Sequence, residues 1–128
     1  MNFKEDGVNE IFKDVFIPWF NVYRFMLQNI NRYEMDSGKK WMFNEELFSN
    51  LDGFKGLMDK WIISANQDLI KFVRKELEAY RLYTVVKEKV RFLGLLSNWY
   101  LRLNRDTLKG DFGLEESDIG LNVMFFVL

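Results

Sequence analysis

From Arg81 to Lys109 apolar residues recur at three- and four-residue spacing, and that spacing leaves a chain few folds to choose from. Val85, Phe92, Leu96, Trp99 and Leu103, flanked by Val86, Leu93 and Tyr100, trace one buried helical face. On the opposite side, steps of four and three pick out Lys87, Arg91, Gly94, Asn98, Arg102, Arg105 and Lys109. At about 100° per residue these positions stay within a band roughly 80° wide. Five of them are basic and none is acidic. The helix is expected to bury one side and to carry a cationic strip about 33 Å long on the other. A strip of that length suits a polyanion better than a point ligand.

The charge balance of the whole chain gives the strip its weight. Net charge over the 128 residues is only −1, which is not the signature of a generic nucleic-acid binder. Residues 81–109 hold seven Lys/Arg against Glu88 and Asp106, a net of +5, so the remainder stands at −6. Positive charge is thus concentrated on one element. A basic strip alone is more often a solvated face than a site. Its freedom from acids and the acidic remainder bring the two readings level.

The length suits one domain, and a hydrophobic content of 48% with 17% aromatics is enough for a packed core. With one proline and almost no strand-like alternation, the predicted class is all-α, an antiparallel helix bundle. Residues 1–8 read as a polar lead. The first helix is predicted over about 9–33 and is apolar around most of its circumference, which predicts burial on more than one side. Pro18 deletes a backbone hydrogen bond within it and predicts a kink near Asp14. Residues 34–57 read as a long loop with one short helix around 44–50, best understood as aromatic cover for the core.

The second helix is predicted over about 58–80, with Asp59 at its start and Ile62, Ala65, Leu69, Phe72 and Val73 inside. A short turn at 81–84 brings the third helix, 83–109, back antiparallel. Gly110 and Gly113 stop it, and Glu115, Glu116 and Asp118 suit the first turn of a fourth helix over 115–128. That helix runs into Phe-Phe-Val-Leu in the middle of an apolar run, so it is expected to be truncated and the chain to be a piece of a longer protein.

Catalytic chemistry has little to work with. There is no cysteine and no histidine, which removes thiolate chemistry, disulfides and the commonest general base. The glycines are dispersed and form no phosphate loop. Glu45/Glu46 and Glu115/Glu116 are adjacent in sequence and would point to different sides of a helix, as solvated charges do. Trp19, Phe20, Trp61, Trp99 and Tyr100 fall at core spacing and are expected to pack inside rather than stack on bases. No apolar run approaches a membrane span and no signal-peptide pattern opens the chain, so a soluble intracellular protein is expected.

The strings themselves resemble a known family. Residues 13–29, Lys-Asp-Val-Phe-Ile-Pro-Trp-Phe-Asn-Val-Tyr-Arg-Phe-Met-Leu-Gln-Asn, are similar to the opening of the helical anticodon-binding domain of isoleucyl-tRNA synthetases of the eukaryotic cytosolic and archaeal kind. Asp59-Lys-Trp-Ile-Ile-Ser64 is similar to the next helix of that family. Ala79-Tyr-Arg-Leu-Tyr-Thr-Val-Val86 and Asn98-Trp-Tyr-Leu-Arg-Leu-Asn-Arg105, followed by Leu108-Lys-Gly110, resemble its third helix. Asp106-Thr107 departs from the family pattern, which carries more arginine there. Valyl and leucyl relatives share the layout and stay open as alternatives.

The resemblance implies the anticodon-binding domain of a class I aminoacyl-tRNA synthetase, docking on the anticodon stem and loop of an isoleucine tRNA in the cytoplasm. The parent enzyme would use ATP and magnesium to charge that tRNA. No catalytic residue, cofactor site or metal site is expected in this stretch. Lys87, Arg91, Arg102, Arg105 and Lys109 are expected on phosphates, with Asn98 at a sugar or base edge. Other domains of the parent are expected partners, and a membrane is not. The competing reading is a helical interaction module that binds an acidic protein or another domain of its parent.

Overall fold

A computed structural model describes residues 4–54 and 56–128. Helices account for nearly all of the regular structure among them, and no strand occurs. The first rod consists of α1 (Glu5–Ile11), a π-helical turn (Phe12–Phe16) and α2 (Ile17–Ser37). Two 3-10 turns, Glu45–Phe48 and Leu51–Gly53, lead to α3 (Leu57–Glu78). The third rod is α4 (Leu82–Gly94), a π-helical segment (Leu95–Leu101) and α5 (Arg102–Leu108), and α6 (Leu114–Val127) follows. The all-α bundle expected from periodicity is therefore the fold. Of the polar lead, residues 5–8 are helical and residues 1–3 lie outside the described residues.

Proline shapes the first rod by its missing donor. Pro18 stands in the first turn of α2, and directly before it the Ile17 N–H reaches back five residues to the Phe12 carbonyl. The predicted disruption thus takes the form of a widened turn, a known way to absorb a lost i→i−4 bond. Gly38, at φ +68°, ends the rod in the left-handed region.

α6 is the centre of the bundle. It packs against α2, α3 and α5, and buries Ser117, Gly120, Leu121, Asn122, Val123, Met124 and Val127. A helix buried on so many sides must satisfy its polar groups locally. Ser117 Oγ donates to the Leu108 carbonyl at 3.0 Å, and Asn122 Nδ2 donates to the Asp118 carbonyl at 2.8 Å. Gly120 lets α6 and α5 approach closely, because a Cβ there would lie 2.7 Å from Leu108 Cδ2.

The connection between α2 and α3 covers the core, and it is shorter than the 34–57 loop read from the sequence because α2 runs on to Ser37. Trp41 Nε1 donates to Asp118 Oδ1 at 2.9 Å, and the Asn44 N–H donates to Asn122 Oδ1 at 2.7 Å. Asp118 is thus a docking point one turn beyond the helix start rather than a first-turn acid. Phe43 and Trp41 pack on Phe125, and Phe48 stacks on Phe126 at 4.2 Å between ring centroids. The single short helix expected near 44–50 is replaced by the two 3-10 turns. Asn44 caps the first of them by accepting from the Glu46 N–H at 3.1 Å.

The third rod returns antiparallel to α3, since Tyr100 near its end meets Asp59 near the start of α3. The turn between them is a Schellman cap. Arg81 N–H donates to the Glu76 carbonyl and Tyr80 N–H to the Leu77 carbonyl, and Tyr80 takes φ +56°. After α5 the same pair of bonds runs from Asp111 to Asp106 and from Gly110 to Thr107, with glycine in the left-handed position. Tyr80 therefore holds a conformation that glycine takes elsewhere in this chain. The turn is braced by Arg81, which donates twice to the Glu76 carboxylate at 2.7 and 3.0 Å, and by Thr84 at 2.9 Å. The Arg81 and Thr84 hydrogen bonds hold the Glu76 carboxyl below its ordinary range.

One expectation fails on the first rod. Only Val15, Val22, Met26 and Asn29 are buried there, and Phe20 is 61% exposed. Phe12, Phe16, Phe20, Tyr23 and Leu27 form an apolar stripe open to solvent. The sequence pattern reports that the outer face is apolar. Whether a neighbour covers that face is a tertiary matter, and among the described residues none does.

Two substitutions test this account. Gly120→Ala should lower stability by about 1–3 kcal/mol through overpacking against Leu108, read from the urea midpoint at unchanged m-value. Tyr80→Gly should raise it by about 1 kcal/mol, because the 92%-exposed ring contributes little packing and the left-handed strain is relieved.

Candidate nucleic-acid interface

The third rod carries its own register shift. If α geometry ran unbroken, the face holding Phe92 and Leu96 would continue through Trp99 and Leu103. Instead Tyr100 and Leu108 are fully buried, while Trp99 is 58% exposed and Leu103 is also exposed. The π-helical segment Leu95–Leu101 explains the change. A turn closed by i→i+5 bonds holds about one residue more than an α turn, so everything downstream rotates by about one residue's worth of arc. The core reading of Trp99 is therefore corrected, as are those of Phe20 and of Trp19, which is partly exposed on the first rod. Trp61 is half-buried.

Tyr100 anchors the shift. Its ring is wholly buried and its hydroxyl donates to Asp59 Oδ1 at 2.7 Å. Burial, and next the charge of Asp59, push the Tyr100 phenol well above its ordinary range. Burial also raises the Asp59 carboxyl, against the lowering effect of the Tyr100 hydrogen bond, with the charge of Glu116 adding to the rise.

The same rotation breaks the cationic strip into two parts. Lys87 and Arg91 lie on α4, Asn98 in the π-helical segment, Arg102 and Arg105 on α5, and Lys109 caps α5. All six are exposed, as the sequence pattern predicts, but they do not form one straight band. Arg91 is shared with Glu88 at 3.4 Å. Among the described residues Lys87, Arg102, Arg105 and Lys109 make no ion pair, so their charge is free for a ligand. Arg105 and Lys109 also lie at the negative end of the α5 dipole, which favours cations there whether or not a ligand binds.

What the sequence pattern did not reveal is the surface beside these cations. Arg91, Leu95, Trp99 and Leu103 form a ridge along α3. A groove of about 460 Å3 that includes Arg91 shares Trp61 and Leu95 with one of about 580 Å3 lined by Leu57, Met58, Trp61, Leu95, Trp99 and Leu103. No group of three or more acidic side chains among the described residues is arranged to hold a metal, and no helix there is long and apolar enough to cross a membrane.

Comparison with known proteins sets this geometry in context. Residues 59–128 match the family model described as the anticodon-binding domain of tRNA ligase. Over its full length the chain is 49% identical to the isoleucine–tRNA ligase of Tetrahymena thermophila, of which it covers 12%. It is 41% identical to the cytoplasmic isoleucine–tRNA ligase of Mus musculus, covering 10%, and 46% identical to a probable cytoplasmic isoleucine–tRNA ligase of Dictyostelium discoideum, covering 12%. The chain thus spans about a tenth of the length of these relatives.

Tyr100→Phe tests the anchor and its pH dependence. The folded pKa of Asp59 is raised, so its contribution to stability is present below the unfolded value near 3.8 and lost as pH rises through the folded value. At neutral pH the ionised carboxylate is a cost that the Tyr100 hydroxyl reduces. Removing the hydroxyl should cost about 1–3 kcal/mol at pH 7, and the penalty should shrink as Asp59 protonates, measured by urea unfolding across that range.

Proposed function

Because the chain belongs to the family of anticodon-binding domains of tRNA ligases, we propose that it binds the anticodon stem and loop of an isoleucine tRNA as part of an isoleucine–tRNA ligase. The observation that carries this reading is the set of exposed cations Lys87, Arg102, Arg105 and Lys109, free of acidic partners among the described residues. These and Arg91 contact phosphates along the stem, where A-form geometry hides the base edges of the deep groove. Asn98, exposed between the two cation groups, reaches a sugar or a loop base. The work of these residues is binding and orientation. The parent ligase activates isoleucine with ATP and magnesium in domains outside this stretch.

The relatives whose names include the cytoplasm support a cytoplasmic location. A second partner fits a second surface. The stripe Phe12, Phe16, Phe20, Tyr23 and Leu27 is apolar and open, and relatives about ten times longer supply the further domains of a synthetase to cover it.

Titration against an isoleucine tRNA transcript and an unrelated tRNA at several salt concentrations tests the reading. Log affinity should fall against log salt by roughly 0.7 to 0.9 per phosphate engaged, with preference for the isoleucine tRNA. Arg102→Glu should weaken binding and reduce the slope by about one, with helicity unchanged. A slope without preference would make these helices a positioning surface only. Absence of binding at low salt would refute the assignment.

A further inference from the structure

The π-helical segment that buries Tyr100 leaves the neighbouring Trp99 58% exposed. Counted from Lys87 with the one-residue delay of that segment, Trp99 falls on the line of Lys87 and Arg91 rather than on the buried side. Arg91, Leu95 and Trp99 stand one helical turn apart on the same ridge, and Arg102 follows Trp99 by three residues, a neighbouring position on a helix. Trp61 of α3 supplies a second, half-buried indole to the groove, and Leu57 and Leu103 complete the apolar lining with Met58 and Leu95.

An apolar groove alone would suit a protein segment. This one has a half-exposed indole as its wall and an exposed cation three residues on, at Arg102. A flat apolar face next to positive charge is the arrangement that receives an unstacked base with its phosphate. Glu88 and Asp68 line the neighbouring groove with Arg91, so the Trp99 groove is the one open to a polyanion.

We infer that Trp99, sharing the groove with Trp61, is a stacking shelf for one unpaired base of the bound anticodon loop, with Arg102, three residues on, held for a flanking phosphate. This rests on the tRNA-binding reading above and adds a residue outside the cation set on which that reading stands. It assigns Trp99 a contact made by its ring face, so the chemistry required at the position is aromatic rather than merely apolar.

The test uses a hairpin of the isoleucine tRNA anticodon stem and loop, and the same hairpin with abasic loop nucleotides. Binding is measured to the unaltered chain, Trp99→Leu, Trp99→Phe and Arg102→Glu. Trp99→Leu should weaken binding of the intact hairpin about 5- to 150-fold, while Trp99→Phe retains most of the affinity. The unaltered chain should lose affinity for the abasic hairpin by a similar factor, and Trp99→Leu should bind both hairpins alike. Circular dichroism and the thermal midpoint should be unchanged, since the side chain is exposed. If Trp99→Leu binds like the unaltered chain while Arg102→Glu does not, the shelf is refuted, the phosphate contacts stand and the groove belongs to a protein segment. Equal losses on both hairpins would also overturn stacking. If neither variant changes binding, or the unaltered chain does not bind at low salt, the tRNA reading falls with it.

Discussion

Burial of Tyr100 sets the orientation of the second half of the third rod. The ring gains a fully apolar site and the hydroxyl finds a carboxylate acceptor 2.7 Å away on α3. Tyrosine suits such a position because its ring is apolar while its one polar group needs a partner when buried. Satisfying both needs at residue 100 rather than 99 requires an extra residue in the turn, and the π-helical segment provides it. Every side chain from Tyr100 to Lys109 takes its direction from that adjustment. The cations of α5 and the exposed indole of Trp99 are therefore positioned by a contact that never touches the ligand surface.

A second constraint operates at α6. Buried against three other helices, it has to satisfy the buried Ser117 and Asn122 internally, and does so through its own backbone, the end of α5 and the long connection. The bonds from Trp41 and Asn44 hold that connection over Phe125 and Phe126. The burial of α6 and the ordering of the connection thus depend on each other. Within the apolar end of α6, Val123, Met124 and Val127 are buried, while Phe125 stays 46% exposed and, with Leu128, lines a groove against the aromatics of the first rod.

Legibility in the sequence differs by element. The α3–α4 hairpin was legible because a short turn leaves two amphipathic helices no other packing, and Gly110 and Gly113 mark the end of α5 through their positive φ values. The exposed cations were legible as well, since Lys and Arg on a face without apolar residues have no reason to be inside. Phe20 and Trp99 were misread. An aromatic at core spacing looks the same whether its neighbour lies in this chain, in another domain or in a nucleic acid. Pro18 announced a disturbance in the first rod, but nothing comparable announced the π-helical segment.

The sequence by itself determined an all-helical chain, the concentration of charge on one rod, the absence of histidine and cysteine chemistry, and the strings that tie it to the anticodon-binding family. Those follow from residue identity and local periodicity, which need no knowledge of distant contacts. Tertiary structure decided which aromatics face solvent and how the two cation groups are turned relative to each other. Periodicity at 3.6 residues assumes uniform helix geometry along the whole rod. A single widened turn, stabilised by Asp59 forty-one residues away, shifts the register for everything beyond it.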